Sequence, residues 1–217
     1  MAANFAVTRN TLLKGLMALS LAASLTACGD KPTQAAAGSS APAPASAFRG
    51  IDITGASYAK DFSLPDAEGR VRTLADFKGK VTVVFFGFTQ CPDVCPTAMA
   101  ELAEAKKRLG VAGERVQGIF VTLDPERDTP ELLRAYMQGF DPSFVALRGD
   151  AQQTSDSAKA FKVFFAKVPG KTESSYTLDH TAGAYLFDSQ GRVRVFTRHG
   201  SGVDMLKHDL EQLLKQG

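Results

Sequence analysis

Residues 81–86, Val-Thr-Val-Val-Phe-Phe, make a nearly unbroken run of β-branched and aromatic side chains, the pattern of a strand covered on both faces. Met99, Leu102, Ala105 and Leu109 then recur at helical spacing, with Lys106, Lys107 and Arg108 in the last turn and Gly110 as a stop. That pattern predicts a helix over 94–109. Gly-Ile-Phe-Val-Thr-Leu at 118–123 reads as a second buried strand, ended by Asp124-Pro125. Thr129 and Pro130 suit the N-cap and first position of another helix, where the missing proline donor costs nothing. A β-α-β-α order favours parallel strands and right-handed crossovers. Further on, 184–187 and 193–196 are apolar runs flanking Asp-Ser-Gln-Gly, a β-hairpin signature. Val203, Leu206, Leu210 and Leu213 make a terminal amphipathic helix. A βαβ unit followed by a ββα unit describes an α/β, thioredoxin-like domain. Residues 50–79, hairpin-like over 62–71, form an N-terminal β-hairpin elaboration of it.

The first 27 residues stand outside this plan. Arg9 and Lys14 precede a short apolar core at 16–19 and 21–23, and small residues lead to a cut site, as in a secretory signal. The core is too short for an ordinary spanning helix. Leu25-Thr26-Ala27-Cys28 looks like a bacterial lipoprotein box, so the reading is a lipoprotein signal peptide over 1–27 and lipidation at Cys28. A plain secretory signal with a chance cysteine is the alternative. Residues 28–47 are dominated by Ala, Pro, Ser and Gly, too poor in bulky apolar groups to offset ordering entropy. They read as a flexible tether to a single domain over 48–217. The leader holds two basic residues and no acidic one, leaving 23 basic against 23 acidic residues. A net charge near zero argues against nucleic-acid binding through phosphate neutralisation. The expected setting is the periplasmic side of a bacterial cell envelope, with the chain a monomer held to a membrane by its lipid.

With Cys28 assigned to lipid, Cys91 and Cys95 remain as thiols, in a compartment where disulfides persist. Cys91 falls in the loop after the central strand and Cys95 in the first turn of the helix, where Pro96 is tolerated. The helix start favours thiolate at both sulfurs. In a fully helical turn, positions four apart stand about 5–6 Å apart at Cβ, beyond the about 3.5–4.5 Å of a disulfide. The Cys-Pro dipeptides at 91–92 and 95–96 make some departure from helix expected. Metal binding and disulfide closure therefore both stay open.

A third donor bears on the choice. Of the three histidines, His208 lies off the apolar stripe of its helix and reads as a surface residue, and His199 precedes a Gly-Ser-Gly loop and reads likewise. His180 sits in a loop just before the hairpin strands, and in a thioredoxin-like fold that loop lies beside the active-site turn. Two thiolates and an imidazole suit Cu(I) in a three-coordinate site, or Cu(II) with a further donor. Structural zinc is less suited, because no fourth ligand closes a tetrahedron.

Phe-Gly-Phe-Thr-Gln-Cys-Pro-Asp-Val-Cys-Pro-Thr-Ala-Met at 86–99, Val-Thr-Leu-Asp-Pro-Glu-Arg-Asp-Thr-Pro-Glu at 121–131, and Tyr-Thr-Leu-Asp-His-Thr-Ala-Gly-Ala-Tyr-Leu-Phe-Asp at 176–188 occur in this order. Together they resemble the Sco/SenC family of copper proteins, over essentially all of 50–215. The resemblance implies a membrane-tethered copper metallochaperone that helps assemble the binuclear copper site of cytochrome c oxidase subunit II. Another copper chaperone is a possible second partner. The family's motif cysteines match Cys91 and Cys95 and its ligand histidine matches His180. The block from Asp124 to Pro130 either orders the loop at the strand end or presents a surface to a partner, the first reading being the simpler one.

Two other readings compete. A thiol-disulfide oxidoreductase would use Cys91 and Cys95 as its catalytic redox pair, one attacking a partner disulfide and the other resolving it, with His180 in support. A thiol peroxidase shares the fold and a Thr-before-Cys turn, but the close cysteine pair and distant histidine argue for metal. Oxidation to the disulfide would remove both thiolate ligands, so redox state would gate copper binding.

Overall fold

A computed structural model describes residues 46–172 and 175–216. The signal segment, Cys28 and all but the last two residues of the expected tether lie outside the described residues. In chain order the elements are β1 (Ile51–Asp52), β2 (Leu64–Pro65), β3 (Val71–Arg72), β4 (Val81–Gly87), α1 (Val94–Arg108), β5 (Val116–Thr122) and α2 (Pro130–Gln138). There follow β6 (Val145–Leu147), α3 (Ala151–Ala160), β7 (Phe165–Pro169), β8 (Tyr176–His180), β9 (Gly183–Phe187), β10 (Val193–Arg198) and α4 (Val203–Lys215).

Every residue of β4 and of β5 is buried, which is why both read as unbroken apolar runs. They pair in parallel with Phe85 opposite Phe120, and β6 continues the parallel set. On the other side β9 runs antiparallel to β4, followed by β10 and β1, giving six strands in the order β1-β10-β9-β4-β5-β6. The unit β4-α1-β5 followed by β9-β10-α4 is the thioredoxin-like arrangement that the hydrophobic pattern predicts. Successive residues of β4 face opposite ways. Val83 and Phe85 line a cavity shared with Met99 and Leu102 of α1 and Leu206 of α4, whereas the Phe86 ring packs 5.0 Å from that of Phe161, just past α3.

Local chemistry ends the elements where the sequence says it should. The Thr129 hydroxyl accepts the Leu132 N–H at 3.2 Å, with Pro130 as the first residue of α2. Gly110 takes a φ of +59° after α1, the left-handed conformation glycine tolerates best. In the hairpin turn the Asp188 carboxylate accepts the N–H groups of Gln190 and Arg192, each at 3.0 Å.

The N-terminal elaboration holds a hairpin of β2 and β3, and it has a use in the sheet. The Arg148 N–H donates to the Pro65 carbonyl at 2.9 Å and Asp66 bridges to Leu147, which covers the β6 edge that would otherwise be free to pair with another chain. Five elements go beyond the sequence reading: β1, β6, α3 and the paired strands β7 and β8. Helix α3 has no apolar stripe, and its buried positions are Thr154, Ser157 and Ala158.

Candidate metal centre

The site begins where β4 ends. A Cβ added to Gly87 would lie 2.8 Å from Cys95 Sγ, 2.9 Å from the Phe85 ring and 3.0 Å from the Phe120 ring, so only glycine lets the helix start come this close. Beyond it, the Thr89 N–H and hydroxyl donate to the Asp128 carboxylate at 3.1 and 2.6 Å, and the Thr122 hydroxyl donates to it at 2.5 Å. Asp128 is wholly buried, and burial pushes its carboxyl above the ordinary range despite these donors. It fixes the loop leading to Cys91 against the end of β5. The Cys91 N–H then donates to the Phe88 carbonyl at 3.2 Å, closing a turn.

Cys91 lies in that loop, half-buried, and Cys95 is the second residue of α1, fully buried. The Cys95 N–H, one of the first-turn amides without an intrahelical partner, donates to Cys91 Sγ at 3.4 Å. At Cys95 the expectation of a thiolate favoured by the helix start is corrected. Burial drives its thiol far above the ordinary value, and the neighbouring Cys91 and Asp128 push the same way. Desolvation of a charged sulfur outweighs the helix dipole here, so a ligand that needs the thiolate must displace a proton.

His180 is also relocated. It is the last residue of β8, paired with Phe165 of β7, rather than a loop residue. Its ring stands edge-on to Phe85 and Phe88, with centroids 6.2 and 5.9 Å away. Nδ1–H donates to the Thr181 carbonyl at 3.1 Å. That leaves the lone pair on Nε2, which lies 3.7 Å from Cys95 Sγ. Burial lowers the His180 pKa, which favours the neutral imidazole that ligates metals.

The two Sγ atoms and a ring nitrogen of His180 all lie within 4.8 Å of one another, the one group of three or more such donors found among the described residues. A three-coordinate ion bonded at about 2.0–2.3 Å to each donor spaces its ligands about 3.5–4.0 Å apart. A small contraction of the triangle therefore seats a soft or borderline cation. The other histidines stay apart: half-buried His208 donates to the Ala47 carbonyl at 3.1 Å, and the His199 backbone N–H donates to Ala182 at 3.0 Å. Sequence reasoning missed Gly87. It gave the block from Asp124 to Pro130 a loop-ordering role without naming Asp128's partners, the Thr89 and Thr122 hydroxyls.

The profile of the SCO1/SenC family matches residues 52–215. The chain belongs to that family. A SCO2-like protein of Rickettsia conorii is 39% identical over 133 residues, covering 61% of this chain and 65% of that protein. The chain thus spans just under two thirds of the length of that relative. Among solved structures, copper-bound ScoI of Bradyrhizobium japonicum is 38% identical, with a TM-score of 0.64 over 70% of this chain and 97% of the other. Apo Sco1 of Thermus thermophilus is 37% identical, with a TM-score of 0.69 over 76% of this chain and 96% of that one. Membership fits the fold described here, and no helix among the described residues is long and apolar enough to cross a membrane.

Proposed function

We propose that this SCO1/SenC protein is a copper metallochaperone in which Cys91, Cys95 and His180 hold the metal as cargo. The convergence of two thiols and an imidazole nitrogen within 4.8 Å carries the reading, and the copper-bound ScoI relative supports it. Two soft sulfurs and an imidazole select copper over the harder divalent cations. Cys91 and His180 are half-buried and Cys95 is fully buried. An incoming partner ligand therefore meets Cys91 or His180 before Cys95, and copper passes by exchange of one donor at a time. The receiving site is the binuclear copper centre of cytochrome c oxidase subunit II, with another copper chaperone as the source. After removal of the leader over 1–27, lipidated Cys28 and the tether over 28–47 would hold the domain on the periplasmic side of a membrane.

The test is titration of the purified, reduced protein with Cu(I) and Cu(II). About one copper per chain is expected, with steep losses in Cys91→Ala, Cys95→Ala and His180→Ala. Full-strength binding in all three variants sinks the reading. One observation favours a second reading, a thiol-disulfide oxidoreductase: a half-buried thiol stands beside a buried one. The Cys91 thiolate would attack a partner disulfide, and Cys95 would then displace the partner's second thiol. The partner gains two electrons, and a Cys91–Cys95 disulfide remains. His180→Ala separates the two, since copper affinity should collapse while disulfide exchange persists.

A further inference from the structure

His180 does not belong to the sheet that delivers the cysteines. Among the described residues, β7 and β8 pair only with each other. Beyond its short link to β9, where the Ala182 carbonyl accepts the His199 N–H at 3.0 Å, side chains hold this ribbon against the cysteine loop, and one residue meets both. Nε of Arg127 donates to the Asp124 carboxylate. Its Nη1 donates to Gln90 Oε1 at 3.1 Å and to the Tyr176 carbonyl at 2.8 Å. The guanidinium carbon lies over the Tyr176 ring, 3.6 Å from its centroid, and 5.9 Å from that of Phe88. Gln90 immediately precedes Cys91, Tyr176 opens the strand that ends in His180, and Phe88 packs against the His180 ring. The Tyr176 hydroxyl closes the cluster by donating to Asp124 at 2.8 Å.

We propose that Arg127 is a positioning residue for the metal centre, pinning the β8 strand that carries His180 to the loop that carries Cys91. This rests on the metallochaperone reading and deepens it. The task demands arginine: a rigid planar fork reaches Asp124, Gln90 and the Tyr176 carbonyl together while its face stacks on an aromatic ring. A lysine supplies one point charge and none of that geometry. Without the fork, the cysteines keep their places through Asp128 and Gly87, but the ribbon is free to lift Nε2 away from Cys95 Sγ.

The Asp124 side chain is only 1% exposed, and deleting its cation would leave a buried charge uncompensated. Arg127→Lys, which retains a cation, is therefore the primary variant. Tyr176→Leu, which keeps the ion pair and removes the stacking ring, is the second. Copper affinity of the full chain, measured by competition, should fall about 10–100-fold in each, as for other residues that orient a ligand. Combining Arg127→Lys with His180→Ala should bind no more weakly than His180→Ala alone, because both changes remove the same donor. In the metal-free protein, amide exchange should quicken at 177–180 and stay unchanged in β4 and β5. Wild-type affinity in both variants, a further loss in the double variant, or loss of cooperative melting in Arg127→Lys would each overturn the proposal. Equal copper binding by the wild type and His180→Ala would instead overturn the three-ligand reading on which it stands.

Discussion

A single methyl group added at Gly87 tests whether the end of β4 and the start of α1 are as tightly fitted as the structure requires. The new carbon would sit 2.8 Å from Cys95 Sγ, 2.9 Å from the Phe85 ring and 3.0 Å from the Phe120 ring. Ordinary contact between carbon atoms lies at about 3.5–4.0 Å, so each neighbour must retreat by roughly half an ångström or more. The two rings are 1% and 0% exposed, with centroids 6.2 Å apart, so moving either one disturbs the core. Overpacking of this kind costs about 1–3 kcal/mol, or about 2–12 °C in melting temperature for a domain of this size. The cheapest relief is a shift of Cys95 Sγ, which also moves it relative to His180 Nε2.

Gly87→Ala should therefore lower both the melting temperature of the metal-free, reduced protein and its copper affinity, the latter about tenfold. Circular dichroism melting and competition titration measure the two. Adding Cys95→Ala removes the sulfur from the clash, so the two changes should cost less stability together than the sum of their separate costs. Melting within about 1 °C of wild type together with unchanged affinity would refute the close-approach argument. Strict additivity in the double variant would refute the assignment to the sulfur.

Other expectations follow from particular bonds. The buried Asp209 carboxylate accepts the N–H groups of Arg49 and Gly50, both at 2.7 Å. Asp209→Ala should cost about 2–4 kcal/mol and speed amide exchange at 49–50, and unchanged exchange there would contradict it. Thr129→Ala removes the α2 cap and should cost about 1 kcal/mol, visible as a melting shift of about 2–4 °C. Burial alone would raise the Asp188 carboxyl, but hydrogen bonds from Arg192 and Arg194 outweigh it and hold the pKa below its ordinary value. Its contribution is thus present above the unfolded value of about 3.9 and is lost as pH falls through the folded value. Asp188→Asn should melt below wild type at neutral pH and converge with it in acid, and melting curves at a series of pH values would expose a gap that fails to close.

The parts of this fold that are legible in sequence are those whose local signal agrees with their burial. β4 and β5 are buried on both faces and read as apolar runs. The β9–β10 turn declares itself through Asp188 and Gly191, which takes a φ of +78°. α3 carries a different signal: its Asp150 and Gln153 form a reciprocal capping box, with bonds of 2.8 and 2.9 Å. Its weak apolar periodicity hides the helix from a search for hydrophobic faces. The β7–β8 ribbon is harder still, because Lys167, Val168 and Pro169 are exposed and no alternation survives. That is why His180 looks like a loop residue. The cysteines are legible from spacing and helix-start chemistry, but the state of Cys95 is not. Whether a first-turn thiol is activated or silenced depends on burial by Phe85, Phe120 and α1 itself, all tertiary facts.

The same asymmetry bears on how cargo would enter and leave. A wholly buried Cys95 sits beside a half-buried Cys91 and a half-buried His180. Under the proposed reading, loading requires the Cys95 proton to leave a site that disfavours an unpaired charge, so a bare thiolate there is unstable until a cation arrives. Proton loss and metal capture at Cys95 are then coupled. A partner's soft ligand can displace Cys91 while Cys95 and His180 still hold the metal, which keeps copper bound throughout exchange. Replacing Cys91 with serine should weaken binding and leave the residual copper open to attack, so transfer to an accepting dithiol should be faster than from the wild type. Replacing Cys95 should chiefly destroy binding itself. Stopped-flow transfer to a chelating dithiol distinguishes them, and equal effects of the two serine variants on rate and affinity would refute the ordered exchange.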